Sequence, residues 1–426
     1  MSIGAVVWAK AAGLAAPGLS VALRVRLARG KEAPGRLPER RGLDRTTRPA
    51  GRLLWVHAAS VGETASILPV LTCLRSEAPD LTVLFTTGTV TAAALLGQRL
   101  TEPERDMTLH RFVPLDVPRW VSRFLDLWRP DAAVFVESEL WPNLLFACHA
   151  RRIPLLLVNA RLSQRSFNRW RRVPRLAQQL MGTFELILAR SEADGARFRA
   201  LGARSVEAAG DLKFAAPPLP VDPIEQARLS ALLRGRPIWL AASTHPGEDP
   251  LVFDAHRQIA TLHPDLLTIL APRHPERGAS IAAEAAPLIV TRRALGQDPP
   301  GRGVWVADTL GELGLLYRLT PIVFVGRSLL PPGGGQNPLE AARLGCAIAM
   351  GPYTANFIES VGLLRDADAL ETVANAPTLA EFVNAMLSDP SRRIGMACRA
   401  ATVVRRYSDL PARIARTLLQ LLHGSF

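Results

Sequence analysis

The chain has 426 residues, 48% of them hydrophobic and 21% charged. This composition argues against disorder and gives enough length for two or three domains. Cys73, Cys148, Cys346 and Cys398 form no CxxC pair, and the eight histidines contain no HExxH, which argues against a disulfide framework, a zinc ribbon or any protein-built metal site. The formal net charge of +13 suggests an anionic partner: nucleic acid, anionic lipid or a phosphorylated substrate. The excess is arginine, since only Lys10, Lys31 and Lys213 are lysines.

At the N-terminus, Lys10 precedes an uncharged run from Ala11 to Leu23, and Arg24, Arg26, Arg29, Lys31, Arg36, Arg40 and Arg41 follow it. Lys10 and Pro17 interrupt what a membrane span of about 20 apolar residues would need, and a signal peptide would carry its charge ahead of the apolar run. A weak anchor, an interfacial helix and an amphipathic helix packed on the domain all remain open; apolar-then-basic order matches interfacial anchoring and favours membrane association of residues 1–30.

From Leu53 onward, strand-like apolar runs alternate with helical stretches. The runs are Leu53–Ala58, Leu81–Thr86, Ala132–Val136, Leu155–Val158 and Leu186–Ala189, with helices at Thr64–Leu74 and Thr91–Leu100. The Pro-rich stretch Ala215–Pro223 reads as a linker. A second set follows at Ile238–Ala242, Leu266–Leu270, Leu288–Thr291, Gly303–Ala307, Ile322–Val325 and Ala347–Met350. Two alternating halves predict two doubly wound α/β domains facing a cleft.

Ligands of such sheets bind outside the carboxyl ends of the strands, and several chemistry-bearing segments fall there. In Trp55-Val-His-Ala-Ala-Ser-Val-Gly-Glu63, Glu63 either takes a proton from a substrate hydroxyl or complements the helix dipole, which would favour its ionised form. In Val134-Phe-Val-Glu137-Ser-Glu139, two carboxylates follow a buried strand and need partners. Alternation along an extended segment puts both on one side. Arg161, Arg165, Arg169 and Arg172 have helical spacing and predict a basic stripe with Phe167 and Trp170 among them; no module that reads nucleic-acid sequence accompanies it. Lys213, in Gly210-Asp-Leu-Lys213-Phe214, hints at a position that wants a compact ammonium.

The second half carries two predicted helix starts. Thr309 and Glu312 have capping-box spacing. In Gly333-Gly-Gly-Gln-Asn337-Pro338-Leu-Glu340, Asn337 is placed as N-cap, Pro338 as first helical residue and Gly345 as terminator. A glycine run opening a helix offers backbone N–H groups to a phosphate. Glu340 caps the helix, binds ribose hydroxyls, or does both. Ala271-Pro272-Arg273 presents a cation at a strand exit. Asp366-Ala-Asp368 follows no suitable strand and reads as turn acidity rather than a metal motif.

These segments together resemble the 3-deoxy-D-manno-octulosonic acid (Kdo) transferases of Gram-negative bacteria. The resemblance rests on SVGE at Ser60–Glu63, ESELWPN at Glu137–Asn143, NARLS at Asn159–Ser163, DGARF at Asp194–Phe198 and LKF at Leu212–Phe214. It continues through STHPGE at Ser243–Glu248, PRHPER at Pro272–Arg277, GEL at Gly311–Leu313, NPLE at Asn337–Glu340 and MGP at Met350–Pro352. It implies the α/β GT-B fold: two Rossmann-like doubly wound domains facing an interdomain cleft, with a C-terminal helix crossing back to the first. The implied division is residues 1–30 at the membrane, 31–216 for the acceptor, 217–405 for the donor and 406–426 for the returning helix.

The same resemblance implies CMP-Kdo as donor, lipid IVA or a related phosphorylated lipid A precursor as acceptor, and the cytoplasmic face of the inner membrane as location. No metal, cofactor or nucleic acid is implied. By motif, Glu63 matches the general base, and Glu137 and Lys213 match positions that steady transition-state charge. Pro272, Arg273, Leu310, Gly311, Glu312, Asn337, Pro338, Leu339 and Glu340 match the CMP-contacting segments. Three positions depart from the common pattern: Gln336 for histidine, Arg327 for glycine and Leu310 for methionine. A paralogue using a related keto-sugar or another nucleotide sugar is the alternative.

Overall fold

The computed structural model describes residues 2–424. It divides into two compact units, residues 1–216 with 407–426, and residues 217–406. Each is built on one seven-stranded parallel sheet. The first contains β1 (Leu53–His57), β2 (Thr82–Thr87), β3 (Thr108–Phe112), β4 (Ala132–Val136), β5 (Leu155–Ala160), β6 (Leu186–Ala189) and β7 (Val206–Ala208), in the order 3-2-1-4-5-6-7. The second contains β8 (Ile238–Thr244), β9 (Leu267–Pro272), β10 (Val290–Arg292), β11 (Gly303–Val306), β12 (Ile322–Val325), β13 (Ala347–Met350) and β14 (Leu370–Thr372), in the order 10-11-9-8-12-13-14.

The central strands are unbroken apolar runs because helices cover both faces of a parallel sheet: every residue of β1, β4, β8 and β12 is buried. In the first sheet Trp55 of β1 sits between Leu84 of β2 and Ala133 of β4. Strand order reverses at β1/β4 in the first sheet and at β8/β12 in the second, which are the switch points where open sheets leave crevices. The sequence misses β3, β7 and β14. All three lie at or next to sheet edges and are short or polar (Thr-Leu-His-Arg-Phe, Val-Glu-Ala, Leu-Glu-Thr), so they lack an apolar run.

The Leu410–His423 helix belongs to the first unit. Leu410, Ile414, Leu418 and Leu421 repeat at helical spacing and pack in one core with Ile67, Val70 and Leu74 of the Val61–Glu77 helix. Each such side chain contributes about 1.5–3 kcal/mol on burial.

Neither Lys10 nor Pro17 breaks the N-terminal segment, which is a single 26-residue helix, Ile3–Ala28, about 39 Å long at 1.5 Å per residue. Among the described residues it is the one helix long and apolar enough to cross a membrane. It lies along the first unit instead of standing apart: Ala5, Ala16 and Leu23 are buried, and Trp8 Nε1 donates to Asp116 at 2.9 Å. Ile3, Val7, Leu14 and Val21 face outward, Leu14 with 83% of its surface exposed.

The continuous arginine stripe is not formed. The helix carrying Arg165 and Arg169 spans only Gln164–Trp170, and Val173-Pro174 begins a new one, Pro174–Met181. Proline disfavours helical geometry in the residue before it, so Arg172 falls in the turn. Phe167 and Trp170 pack against the core, with Arg171 stacked over the Phe167 ring.

Candidate active site

In the first unit, the loop after β1 becomes the Val61–Glu77 helix with Ser60 as N-cap, so Glu63 sits in its first turn rather than before it. Ser60 Oγ accepts from the Glu63 N–H at 3.3 Å and donates to Glu63 Oε1 at 2.8 Å; the Ala59 N–H donates to Glu63 Oε2 at 2.7 Å. The side chain is thus fixed in one pose and only 8% exposed. Its carboxyl is raised above the ordinary glutamate range, first by burial and then by the charge of Glu139, against the two hydrogen bonds. Of the two sequence readings left open, a base with raised proton affinity fits this environment, since burial shifts the carboxyl opposite to the helix end.

Glu137 and Glu139 take different partners, though the charges of both act on Glu63. Glu137 has φ 62°, so the alternation of an extended segment fails at that residue, and each carboxylate finds its own cation or donor. Glu139 lies 3.4 Å from His57 Nε2 and accepts from Trp141 Nε1. Burial pushes its carboxyl up, but these hydrogen bonds win and hold it below the usual range. Glu137 lies 3.9 Å from Lys213 Nζ. Lys213 is set by its neighbours: Asp211 accepts its N–H at 2.9 Å, and Asn159, at φ 54°, accepts the Leu212 N–H at 3.0 Å.

Glu63 and Glu139 line one cavity of about 540 Å³. Glu137 and Lys213 form a separate pair outside its lining.

In the second unit, a cavity of about 230 Å³ is lined by Pro272, Arg273, Leu310, Gly311, Glu312, Asn337 and Glu340, with Ser243, Tyr317 and Gln336. Pro338 and Leu339 are not part of the lining; both are buried beneath it as the first helical residues. Arg273 is exposed at the exit of β9 and makes no ion pair among the described residues. Asn337 is the N-cap of Pro338–Arg343, its oxygen accepting the Leu339 N–H at 3.1 Å. Glu340 points back to Asn337 Nδ2 at 3.3 Å. Burial raises the Glu340 carboxyl, against Asn337, Arg343 and Arg273.

Two sequence readings of this cavity are corrected. Most of the glycine run's N–H groups are already used, because Gly334, Gly335 and Gln336 donate theirs to Tyr353, Arg327 and Gly326 carbonyls. At Gly334, with φ 112°, a Cβ would lie 2.5 Å from Asn356 Nδ2, so the glycines serve close packing. Thr309 and Glu312 form no capping box. The helix starts later, at Leu313, because Arg293 takes the Glu312 carboxylate with two N–H groups and Thr309 donates its hydroxyl to it. Arg293, foremost among these, holds the Glu312 carboxyl below its usual range.

Sequence reasoning missed His57, Tyr317, Arg293 and Glu248. The buried Glu248 carboxylate accepts four backbone N–H groups, those of His245, Arg327, Ser328 and Leu329, at 2.7–3.0 Å. Arg327 has φ 57°, the left-handed region that glycine adopts freely, which is why arginine is a departure there. Glu137, Asn159, Ser243 and Arg327 are non-glycine residues at positive φ in or just after strand ends, where functional loops hold strain, a feature that the sequence does not display. Among the described residues no group of three or more His, Cys, Asp or Glu side chains could hold a metal ion.

Residues 35–216 match the profile of the family described as 3-Deoxy-D-manno-octulosonic-acid transferase (kdotransferase). The chain is 36% identical over 388 residues to a probable mitochondrial 3-deoxy-D-manno-octulosonic acid transferase of Arabidopsis thaliana, an alignment covering 88% of this chain and 86% of the relative. It is 33% identical over 369 residues to the 3-deoxy-D-manno-octulosonic acid transferase of Haemophilus influenzae, covering 84% of each. The solved UDP-GlcNAc 2-epimerase of Neisseria meningitidis matches with TM-score 0.58 and 14% identity, over 87% of this chain and all of that one, a likeness of fold alone. With its two parallel α/β sheets of the GT-B type, the chain belongs to the 3-deoxy-D-manno-octulosonic acid transferase family of glycosyltransferases.

Proposed function

We propose that the protein transfers Kdo from CMP-Kdo to the lipid A precursor lipid IVA, with inversion at the anomeric carbon and Glu63 as general base. The observation that carries the reading is the state of Glu63: a nearly buried carboxylate, fixed by Ser60 and the Ala59 N–H, with its proton affinity raised. A base works best when its pKa approaches the operating pH. Glu63 takes the proton from an acceptor hydroxyl as that oxygen bonds to the anomeric carbon. The bond from that carbon to the CMP phosphate breaks, its electron pair leaves with CMP, and the proton passes later from Glu63 to solvent.

The fixed hydrogen bonds leave the other lone pairs of Glu63 for the substrate. Lys213, paired with Glu137, offers an ammonium for charge developing on the departing phosphate or the Kdo carboxylate. In the second unit, Arg273 meets the phosphate and Glu340 meets the ribose hydroxyls, with Leu310, Gly311, Glu312 and Asn337 shaping the nucleotide cavity over Pro338 and Leu339. No metal has a step in this reaction. The outward apolar face of Ile3–Ala28, with basic residues after it, suits the cytoplasmic face of an inner membrane.

The test is nucleotide release. With lipid IVA present and no divalent metal added, CMP-Kdo yields CMP, whereas UDP- and GDP-sugars yield no free nucleotide. Release from a UDP- or GDP-sugar instead of CMP-Kdo overturns the donor assignment.

A further inference from the structure

The cavity beside Glu63 has an apolar lining that proton transfer does not use. Its volume of about 540 Å³ is in the range of small-molecule sites. Its lining combines Ser60, Glu63, His57 and Glu139 with apolar walls from Leu19, Ala22 and Leu23 of the Ile3–Ala28 helix and Val113, Pro114 and Leu115 of the loop after β3. The charged residues along these walls are already paired. Arg40 is 3% exposed and donates to Glu32, to the Val113 carbonyl and to the Gly88 carbonyl, and Glu32 also accepts from Arg26 at 2.7 Å. These contacts clasp the end of the helix onto the sheet, and Trp8–Asp116 holds its start.

We infer that this apolar lining is the seat of a fatty acyl chain of the acceptor, and that the N-terminal helix is a wall of the acceptor site as well as a membrane contact. The inference rests on the transferase reading above and names where the lipid portion of the acceptor lies. A carboxylate in a cavity with apolar walls is the complement of an amphiphile whose hydroxyl reacts at Glu63. A soluble sugar would leave the half-buried Leu19 and the exposed Ala22 facing water, a cost that an acyl chain removes. The same helix exposes Leu14, Val21 and Val25 on its other flank, so a chain leaving a bilayer reaches the groove along continuous apolar surface.

The experiment uses the full-length protein in detergent micelles, so that membrane attachment does not enter, with saturating CMP-Kdo. Two acceptors are compared: a tetraacylated glucosamine disaccharide bisphosphate and its fully deacylated counterpart. Ala22 is exposed, so Ala22→Trp, which fills the groove, and Ala22→Asp, which charges it, are compatible with folding. Both are expected to lower the ratio of kcat/KM for the acylated over the deacylated acceptor at least tenfold. Leu14→Asp, on the outward flank, keeps that ratio. As a second readout, an acylated acceptor with a diazirine at a chain terminus is expected to label the tryptic peptide 11–24, with at least tenfold less label in Ala22→Trp.

Equal loss on both acceptors, no change in the ratio, or labelling confined to other peptides overturns the inference while leaving the transferase reading intact. Absence of transfer by the wild-type protein to either acceptor overturns the transferase reading, and the acyl site with it.

Discussion

The charge of Glu139 raises the proton affinity of Glu63, second only to burial as a cause, and Glu139 itself is kept ionised by hydrogen bonds with His57 and Trp141. One carboxylate therefore tunes the other. The acid limb of the pH–kcat/KM profile should lie above the ordinary glutamate range, with activity lost as pH falls through the Glu63 pKa. Glu139→Gln removes the neighbouring charge, lowers the Glu63 pKa and moves that limb to lower pH. Measuring kcat/KM against pH for both proteins checks this; an unmoved limb would mean that the limb does not report Glu63.

Glu63→Gln keeps the shape of the side chain and removes its basicity. A general base is worth about 10²–10⁴-fold in rate, so kcat should fall by that factor while CMP binding to the separate nucleotide cavity is unchanged by calorimetry. The same variant has a stability signature. Because the folded carboxyl has a raised pKa, ionisation penalises the fold above that pKa, and the penalty vanishes below the unfolded pKa, where both states are protonated. Near neutrality Glu63→Gln should therefore melt higher than wild type, and the difference should close in acid.

Arg293 fixes the Glu312 carboxylate and also donates to Glu225 at 3.0 Å. Arg293→Ala frees the Gly311–Glu312 turn at the mouth of the nucleotide cavity. Losing such charge-assisted bonds costs about 1.5–3 kcal/mol. The KM for the nucleotide sugar should rise on the order of tenfold, with kcat changed far less, as initial-rate kinetics would read.

Glu248→Gln tests the buried carboxylate that gathers four N–H groups. An amide presents an NH₂ to donors that need an acceptor, so at least one buried N–H loses its partner, at about 1–3 kcal/mol. The variant should unfold at lower denaturant. Arg327→Gly, at a positive φ that costs a non-glycine residue about 1 kcal/mol or more, should partly restore it when the two are combined.

The buried central strands were legible because parallel sheets demand apolar runs: Ala132–Val136, Leu186–Ala189, Ile322–Val325 and Ala347–Met350 begin and end where hydrophobicity does. The capped start at Asn337-Pro338 was legible because cap chemistry is local. What distant residues decide was not. Arg293 competes for Glu312 from another loop and delays a helix, and the positive φ of Glu137 sends two neighbouring carboxylates to different partners. The proton affinity of Glu63 depends on burial, which a dipole argument from sequence cannot weigh. The N-terminal helix was readable as apolar, but its place beside Glu63 depends on the Arg26–Glu32–Arg40 clasp.

The most direct test of the account is the product itself. Incubating the wild-type protein and Glu63→Gln with CMP-Kdo and lipid IVA, and analysing the lipid fraction by mass spectrometry and NMR, should give Kdo-bearing lipid of inverted anomeric configuration from the wild type and at least a hundredfold less from the variant. Unmodified lipid from the wild type, or equal product from both, would contradict it.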